Sequence, residues 1–242
     1  MPPLRMLPGN SFNGRDAMSS KAVILIATVL ALGSAAHAGD LDREIPAAAY
    51  DPASVAVRET VVLAGGCFWG QQGLFEHVKG VAQVIAGYSG GTAQSANYEA
   101  VSSETTNHAE AVQITFDPRQ ISFATLLRIY FSVAHDPTQL NRQGPDTGTS
   151  YRSVIFAATP QQEKIARTYI AQLESAHLFG APIVTLVAPL KGFWRAEDYH
   201  QDYLAHHPRD PYIVYNDAPK IAALKRVWPR YYAENPVLMG RE

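Results

Sequence analysis

The chain has one cysteine, Cys67, in 242 residues. A single thiol excludes an intramolecular disulfide, so the fold is not stapled covalently. It also excludes the cysteine-rich zinc modules. His206-His207 has no second cysteine and no HExxH pattern beside it, so no metal site is expected. Charge is sparse, with Asp, Glu, Lys and Arg at 17% and a net charge of −2. No basic stripe with interleaved aromatics occurs, which argues against a nucleic-acid surface. Internal repeats and low-complexity tracts are missing too. The hydrophobic fraction of 47% is enough for the core of one large domain.

The apolar run Ala22 to Leu32 is broken only by Thr28. It is shorter than the roughly 18 to 20 residues that span a bilayer. Lys21 precedes it and Gly33-Ser34-Ala35-Ala36-His37-Ala38 follows. A basic start, a short apolar core and an Ala-X-Ala ending form a secretory signal peptide. Residues 1–38 are therefore expected to direct export, with cleavage after Ala38 leaving a periplasmic protein that begins Gly39-Asp40 and keeps no membrane span. Pro2, Pro3, Pro8 and Asp16 are foreign to a leader, which points to Met18 as an alternative start.

Residues 39–59, rich in Ala, Pro and charge, are expected to form an extended lead-in. Strands are expected at 61–64, 81–87, 110–116, 152–157 and 183–188. Helices are expected at 67–78, 122–133, 160–177 and 196–205. Thr159-Pro160-Gln161-Gln162 opens the third with a cap, a first-turn proline and a glutamine three residues on. Ser122 opens the second, with Phe123, Leu126, Leu127, Tyr130 and Phe131 on one face. The order strand-helix-strand, strand-helix-strand predicts an α+β fold: a ferredoxin-like split βαβ core with a mixed sheet and added helices. Loops 88–109 and 134–151 are long, polar and glycine-bearing, which marks them as functional or disordered. Beyond residue 206 the Pro- and Tyr-rich chain is expected to wrap the surface with little regular structure, residues 216–242 forming a tail.

Cys67 stands in Gly65-Gly66-Cys67-Phe68-Trp69-Gly70, after the apolar run Val61-Val62-Leu63-Ala64. This reads as a buried strand, a glycine turn and a thiol at a helix start. Unpaired N–H groups there favour thiolate. A nucleophile or redox centre is one reading, and a small buried hydrophobe is the other. Glu110 shares a strand face with Val112, Ile114 and Phe116 by the period of two. It lies either at a solvated rim or partly buried, where desolvation would raise its pKa and suit it to proton delivery. Asn97-Tyr98-Glu99, the segment Asn141 to Arg152 with Asp146 and Tyr151, and Ala196 to Tyr203 with His200 place further polar groups where apolar ones would pack.

Taken together, Gly66–Gly70, Gly87-Tyr88-Ser89-Gly90-Gly91, His108–Val112, Asn141–Arg152 and Ala196–Leu204 resemble the A-type peptide methionine sulfoxide reductase family. The motifs keep the family's order over roughly residues 59 to 215, which makes 60–215 the catalytic domain. The resemblance implies attack by Cys67 on the sulfur of a methionine S-sulfoxide, free or in proteins, with Glu110 as the acid. Tyr98 and Tyr151 are similar to the family's oxygen-binding tyrosines. Phe68 and Trp69 would cup the substrate methyl group, and Asp146 and His200 would place the substrate and order the site. The product is methionine and a Cys67 sulfenic acid, with no bound cofactor and no metal, in a monomer.

The chain departs from the family twice. Many relatives carry further cysteines, near the position of Ser102 or in the C-terminal tail, that resolve the sulfenic acid and pass a disulfide to thioredoxin. Here an external thiol must act instead: a thioredoxin-like protein, glutathione or another small thiol. Gln72 stands where relatives often have Glu, which would alter the field near the thiolate. Two other readings compete. A cysteine hydrolase would use His108 or His200 as base, and an exported binding module would leave Cys67 inert.

Overall fold

The computed structural model describes residues 43–239. The expected signal segment, its cleavage point after Ala38 and the alternative start at Met18 lie outside the described residues. From the N-terminus the elements are β1 (Glu59–Ala64), α1 (Phe68–Glu76), β2 (Val81–Ser89), α2 (Tyr98–Ser102), β3 (Ala109–Phe116) and α3 (Phe123–Ile129). A two-residue hairpin follows, β4 (Arg142–Gln143) and β5 (Asp146–Thr147), then β6 (Val154–Ala157) and α4 (Pro160–Ser175). The last elements are β7 (Leu186–Pro189), β8 (Phe193–Arg195), α5 (Tyr203–His206) and α6 (Ala218–Val227).

Six strands form one sheet in the order β7-β6-β1-β3-β2-β8. Its centre, β6-β1-β3-β2, is antiparallel throughout, which is the expected split βαβ arrangement. β7 adds parallel to β6 and β8 antiparallel to β2, making the sheet mixed. Val61 to Ala64 are buried on both faces, so β1 reads as a continuous apolar run. On one face Val61, Leu63, Val112, Ile114 and Phe116 pack with Leu74, Phe75, Leu126, Leu127 and Phe131 from the helices. On the other, Val62, Ala64, Ala109, Ala111, Val154 and Phe156 form a smaller cluster.

The helix starts are chemically specified. Ser122 Oγ accepts from the Thr125 N–H at 3.1 Å, and Thr159 Oγ1 from the Gln162 N–H at 3.1 Å. The lead-in lacks helix and strand but is anchored. Ile45 is buried in the core, the Tyr169 hydroxyl donates to Pro46 O at 2.7 Å, and Gln172 Nε2 donates to Ala47 O at 2.8 Å.

Four expectations need correction. The helix expected at 196–205 is a 3₁₀ turn, Asp198–His200, followed by the single turn α5. Asp202 between them has φ +52°, which breaks any continuous helix. The region after 206 is not irregular: a π-turn at Ile213–Asp217 runs into α6, which buries Ala223 and Leu224. Pro219 sits in the first turn of α6, where it initiates a helix rather than interrupting one. The expected helix 122–133 is α-helical only to Ile129 and then widens into a π-turn, Tyr130–Ala134. The strand expected at 183–188 runs Leu186–Pro189, and β8 adds an edge.

Candidate active site

The end of β1 delivers the chain to the site. Gly66 has φ +94°, a conformation side chains other than glycine resist, and a Cβ there would lie 2.6 Å from Gln143 Cβ. Cys67 then caps α1. On the neighbouring strand, Glu110 pairs in register with Tyr88. The carboxylate oxygen Glu110 Oε2 accepts the N–H of Phe68, the residue after the thiol, at 3.0 Å. Glu110 is 3% exposed, so the solvated-rim reading is removed. Burial pushes its pKa up to about 8, opposed by the Phe68 N–H and assisted by Asp146, Glu104 and Asp217.

Cys67 is also buried, and this corrects the expectation of a ready-made thiolate. Burial raises the thiol's pKa above its ordinary value, and the charges of Glu110 and Asp217 push the same way. The Trp69 N–H at the helix start and Lys220 pull it down without winning. Helix-end stabilisation is worth up to about 2 kcal/mol in partly buried settings, less than desolvating an anion costs. The unliganded site therefore holds a thiol beside an acid.

Two phenols face the pair. Tyr98 starts α2, where Asn97 Oδ1 accepts from the Ala100 N–H at 3.0 Å, and its own N–H donates to Glu197 Oε1 at 2.9 Å. Tyr151 ends a 3₁₀ turn that Glu104 fastens by accepting from Thr149 Oγ1 at 3.0 Å, Ser150 N–H at 2.9 Å and Ser150 Oγ. Burial raises both phenol pKa values, and the charges of Glu110, Asp146 and Cys67 add to it. Both remain hydrogen-bond donors at neutral pH. Asp146, in β5, accepts the hydroxyl of Tyr212, and burial raises its pKa.

The apolar walls come next. Phe68 packs against His200 at 4.9 Å and Tyr88 at 5.8 Å between ring centres. Trp69 stacks on Tyr203 at 3.8 Å and meets Tyr212 edge-on at 5.9 Å. Its indole N–H donates to His200 Nδ1 at 3.0 Å. Burial lowers the His200 pKa, so the ring is neutral, with Nδ1 as acceptor and the proton on Nε2. His200 is thereby committed to holding the indole. His108 is committed as well, its ring nitrogens meeting Gly91 N at 3.3 Å and Thr92 O at 2.9 Å. Neither histidine is placed as a base for Cys67, which removes the support for a hydrolase.

All eight candidate side chains, Cys67, Glu110, Tyr98, Tyr151, Phe68, Trp69, Asp146 and His200, thus gather around the β1–α1 turn. Gln72 does not belong to the group. Its amide donates to Val84 O at 3.1 Å and Asp202 Oδ1 at 3.3 Å and accepts from the Asp202 N–H at 2.9 Å. It ties α1 to β2 and to residue 202. The sequence pattern alone assigns no role to Glu197, Tyr203, Tyr212, Asp217 and Lys220. Glu197 stood inside a motif, but only its bonds to Tyr88 Oη and Tyr98 N reveal its use. Tyr212, Asp217 and Lys220 lay in the stretch read as irregular.

A buried sulfur, an adjacent carboxylic acid and two phenol donors in an aromatic recess define a thiol-based oxidoreductase site. Comparison with known proteins agrees. The family model for peptide methionine sulfoxide reductase matches residues 59–232. The chain is 56% identical over 181 residues to peptide methionine sulfoxide reductase MsrA 2 of Mesorhizobium japonicum, covering 75% of this chain and 93% of that one. Against MsrA of Deinococcus radiodurans it is 46% identical over 173 residues, covering 72% and 84%. Among solved structures it is similar to methionine sulfoxide reductase A of Corynebacterium diphtheriae (TM-score 0.55, 36% identity, covering 66% and 79%). It is likewise similar to the reduced form of Mxr1 from Saccharomyces cerevisiae (TM-score 0.58, 30% identity, covering 67% and 92%). The chain belongs to the peptide methionine sulfoxide reductase family, and it is an oxidoreductase that reduces methionine sulfoxide.

Proposed function

We propose that Cys67 attacks the sulfur of methionine S-sulfoxide while Glu110 supplies the proton to its oxygen. The observation that carries this is the Glu110 carboxyl, buried and bonded to the N–H that follows Cys67. A sulfoxide sulfur becomes electrophilic only when its oxygen is protonated or strongly hydrogen-bonded. The Cys67 thiolate forms the new bond to sulfur, the S–O electron pair moves to oxygen, and the proton from Glu110 together with one from solvent releases it as water. Hydrolysis of the resulting sulfonium then frees methionine and leaves a Cys67 sulfenic acid. Tyr98 and Tyr151 hold the oxygen by O–H donation as charge develops. Phe68 and Trp69 enclose the methyl group, His200 fixes the indole, and Asp146 helps place the substrate.

Recycling follows from the cysteine count. With no second thiol in the chain, an external thiol attacks the sulfenic acid, forming a mixed disulfide and water, and a second thiol restores Cys67. A thioredoxin-like protein, glutathione or another small thiol fits this role. Turnover assays on the protein with dithiothreitol, glutathione and thioredoxin in parallel test both steps. After one turnover without reductant, mass spectrometry should find one added oxygen on Cys67. Loss of two hydrogens, the mark of an internal disulfide, would refute the scheme.

The pattern Lys21, Ala22–Leu32 and Ala38 further supports export to the periplasm. N-terminal sequencing of protein recovered from that compartment should begin at Gly39. Among the described residues, no helix is long and apolar enough to cross a membrane.

A further inference from the structure

The active-site description leaves one ion pair without a task. Asp217, at the end of the π-turn, is 0% exposed in its side chain, and Lys220 Nζ donates to its Oδ1 at 3.0 Å. Lys220 itself is only 21% exposed. The other carboxylate oxygen, Asp217 Oδ2, is buried without a hydrogen-bond partner among the described residues. A buried ion pair of this kind contributes little net stability, because desolvation offsets the attraction. Its position is more informative. A Cβ at Gly70 would collide with Asp217 Oδ1 and come within 3.0 Å of Lys220 Nζ. Gly70 is three residues beyond the helix-capping Cys67, and residues three apart share a helix face. The pair is therefore pressed onto the face of α1 that carries the sulfur, and only glycine at 70 leaves it room.

We propose that Lys220, pinned by Asp217 against Gly70, is a positioning residue that stabilises the Cys67 thiolate as it forms. The other groups whose charge couples to that sulfur are acidic or phenolic: Glu110 from β3, Tyr98 from α2, Tyr151 after the hairpin, Tyr203 from α5, Tyr212 before the π-turn, and Asp217. Each of them opposes or merely tolerates an anion. Lys220 is the cation among the strongest influences on Cys67, and its field also reaches Asp146. The ammonium stabilises thiolate as it forms, while Asp217 holds the ammonium in place and limits its effect. The C-terminal segment thus supplies electrostatic control to a nucleophile about 150 residues earlier in the chain.

This inference rests on Cys67 being the reacting sulfur, but its test needs no sulfoxide. The rate of Cys67 alkylation by iodoacetamide is measured against pH, since the thiolate is the reacting form. In Lys220→Met the midpoint should move up by roughly half a pH unit to one, a roughly three- to tenfold slower reaction below the midpoint. In Asp217→Asn it should move down, because an opposing anion is lost and the ammonium remains. Lys220→Arg should stay near wild type. Lys220→Gln, which keeps a hydrogen bond to Asp217, gives the same reading if the methionine variant does not fold. Loosened packing alone would move both variants in one direction. A shared direction, or an unchanged midpoint in Lys220→Met and Lys220→Gln, would overturn the proposal. Loss of turnover with normal alkylation shifts would instead count against the sulfoxide mechanism.

Discussion

Replacing Glu110 by Gln isolates the acid. The amide keeps the size of the carboxyl and an oxygen to accept the Phe68 N–H, now made at 3.0 Å, so the fold should survive. What is lost is a transferable proton. General acid catalysis contributes roughly 10²–10⁴-fold, equivalent to about 2.7–5.4 kcal/mol of barrier. The pH profile sharpens the test. In the wild type, burial holds Glu110 at about 8 and the thiol above its ordinary value. The pair therefore loses one proton near pH 8 and the second at higher pH. The reactive form has a thiolate and a protonated carboxyl, which is one proton on the pair. Hence kcat/KM should rise through about pH 8, peak, and fall as the last proton leaves. In Glu110→Gln only the thiol titrates, and its pKa drops because the opposing carboxylate is gone. The profile should become a single rising limb to a plateau, roughly 10²–10⁴-fold below the wild-type maximum. Stopped-flow or single-turnover formation of methionine from a sulfoxide peptide across pH 6–10 reads both features. A variant that keeps both the bell shape and the rate would refute the assignment of Glu110.

Trp69→Ala removes the bond to His200 Nδ1 and the stack on Tyr203. It should lower kcat/KM by roughly 10²-fold through lost positioning, whereas Trp69→Phe, which keeps a ring but not the N–H, should lose less; equal losses would show that the His200 bond and the ring area do not act separately. Glu76, 1% exposed and hydrogen-bonded to Asp202, has its pKa raised to about 9 by burial. A carboxyl whose folded pKa is raised stabilises the fold fully below its unfolded value of about 4.3 and loses that contribution as pH climbs to about 9. Glu76→Gln should therefore flatten the decline of urea stability between pH 6 and 9, by up to about 1.4 kcal/mol per pH unit. Parallel curves for the two proteins would contradict the buried neutral carboxyl.

The legible parts of the molecule were those written in contiguous residues. Val61 to Ala64 announces a doubly buried strand, and Gly65-Gly66 announces the turn that presents Cys67, because apolar runs and glycine both act locally. Thr159-Pro160 and Ser122 mark helix starts for the same reason. The surroundings of Glu110 were not decidable from its strand, since an alternating face fits a rim as well as a core. Only β1 and β2 on either side, and the Phe68 N–H, settle it. The charge state of Cys67 is not legible in the sequence, because the helix end is visible there while the desolvation around it is not. Tyr212, Asp217 and Lys220 carry no local signal, because proline and tyrosine after residue 206 resemble irregular chain. The π-turn and α6 that carry them are selected by burial of Ile213, Ala223, Leu224 and Trp228, a tertiary cause that leaves a weak local mark.

The site carries an internal conflict that explains its composition. Deep burial is what keeps Glu110 protonated near neutrality, and protonation is what makes it an acid. The same burial works against ionising Cys67 a few residues away. A wetter recess would free the thiolate but let Glu110 ionise as an ordinary carboxylate, and a drier one would do the reverse. Phenols resolve part of the conflict: Tyr98 and Tyr151 donate hydrogen bonds to a developing oxyanion without bringing a negative charge near the sulfur. The helix start and Lys220 resolve another part by favouring the thiolate selectively, since the Trp69 N–H pulls the thiol's pKa down while the Phe68 N–H is the one taken by Glu110. Two adjacent amides of one helix turn therefore serve opposite partners. The strand register that brings Glu110 beside Tyr88 decides which amide each receives, so a slip of one residue in β3 would turn the acid to the opposite face of the sheet.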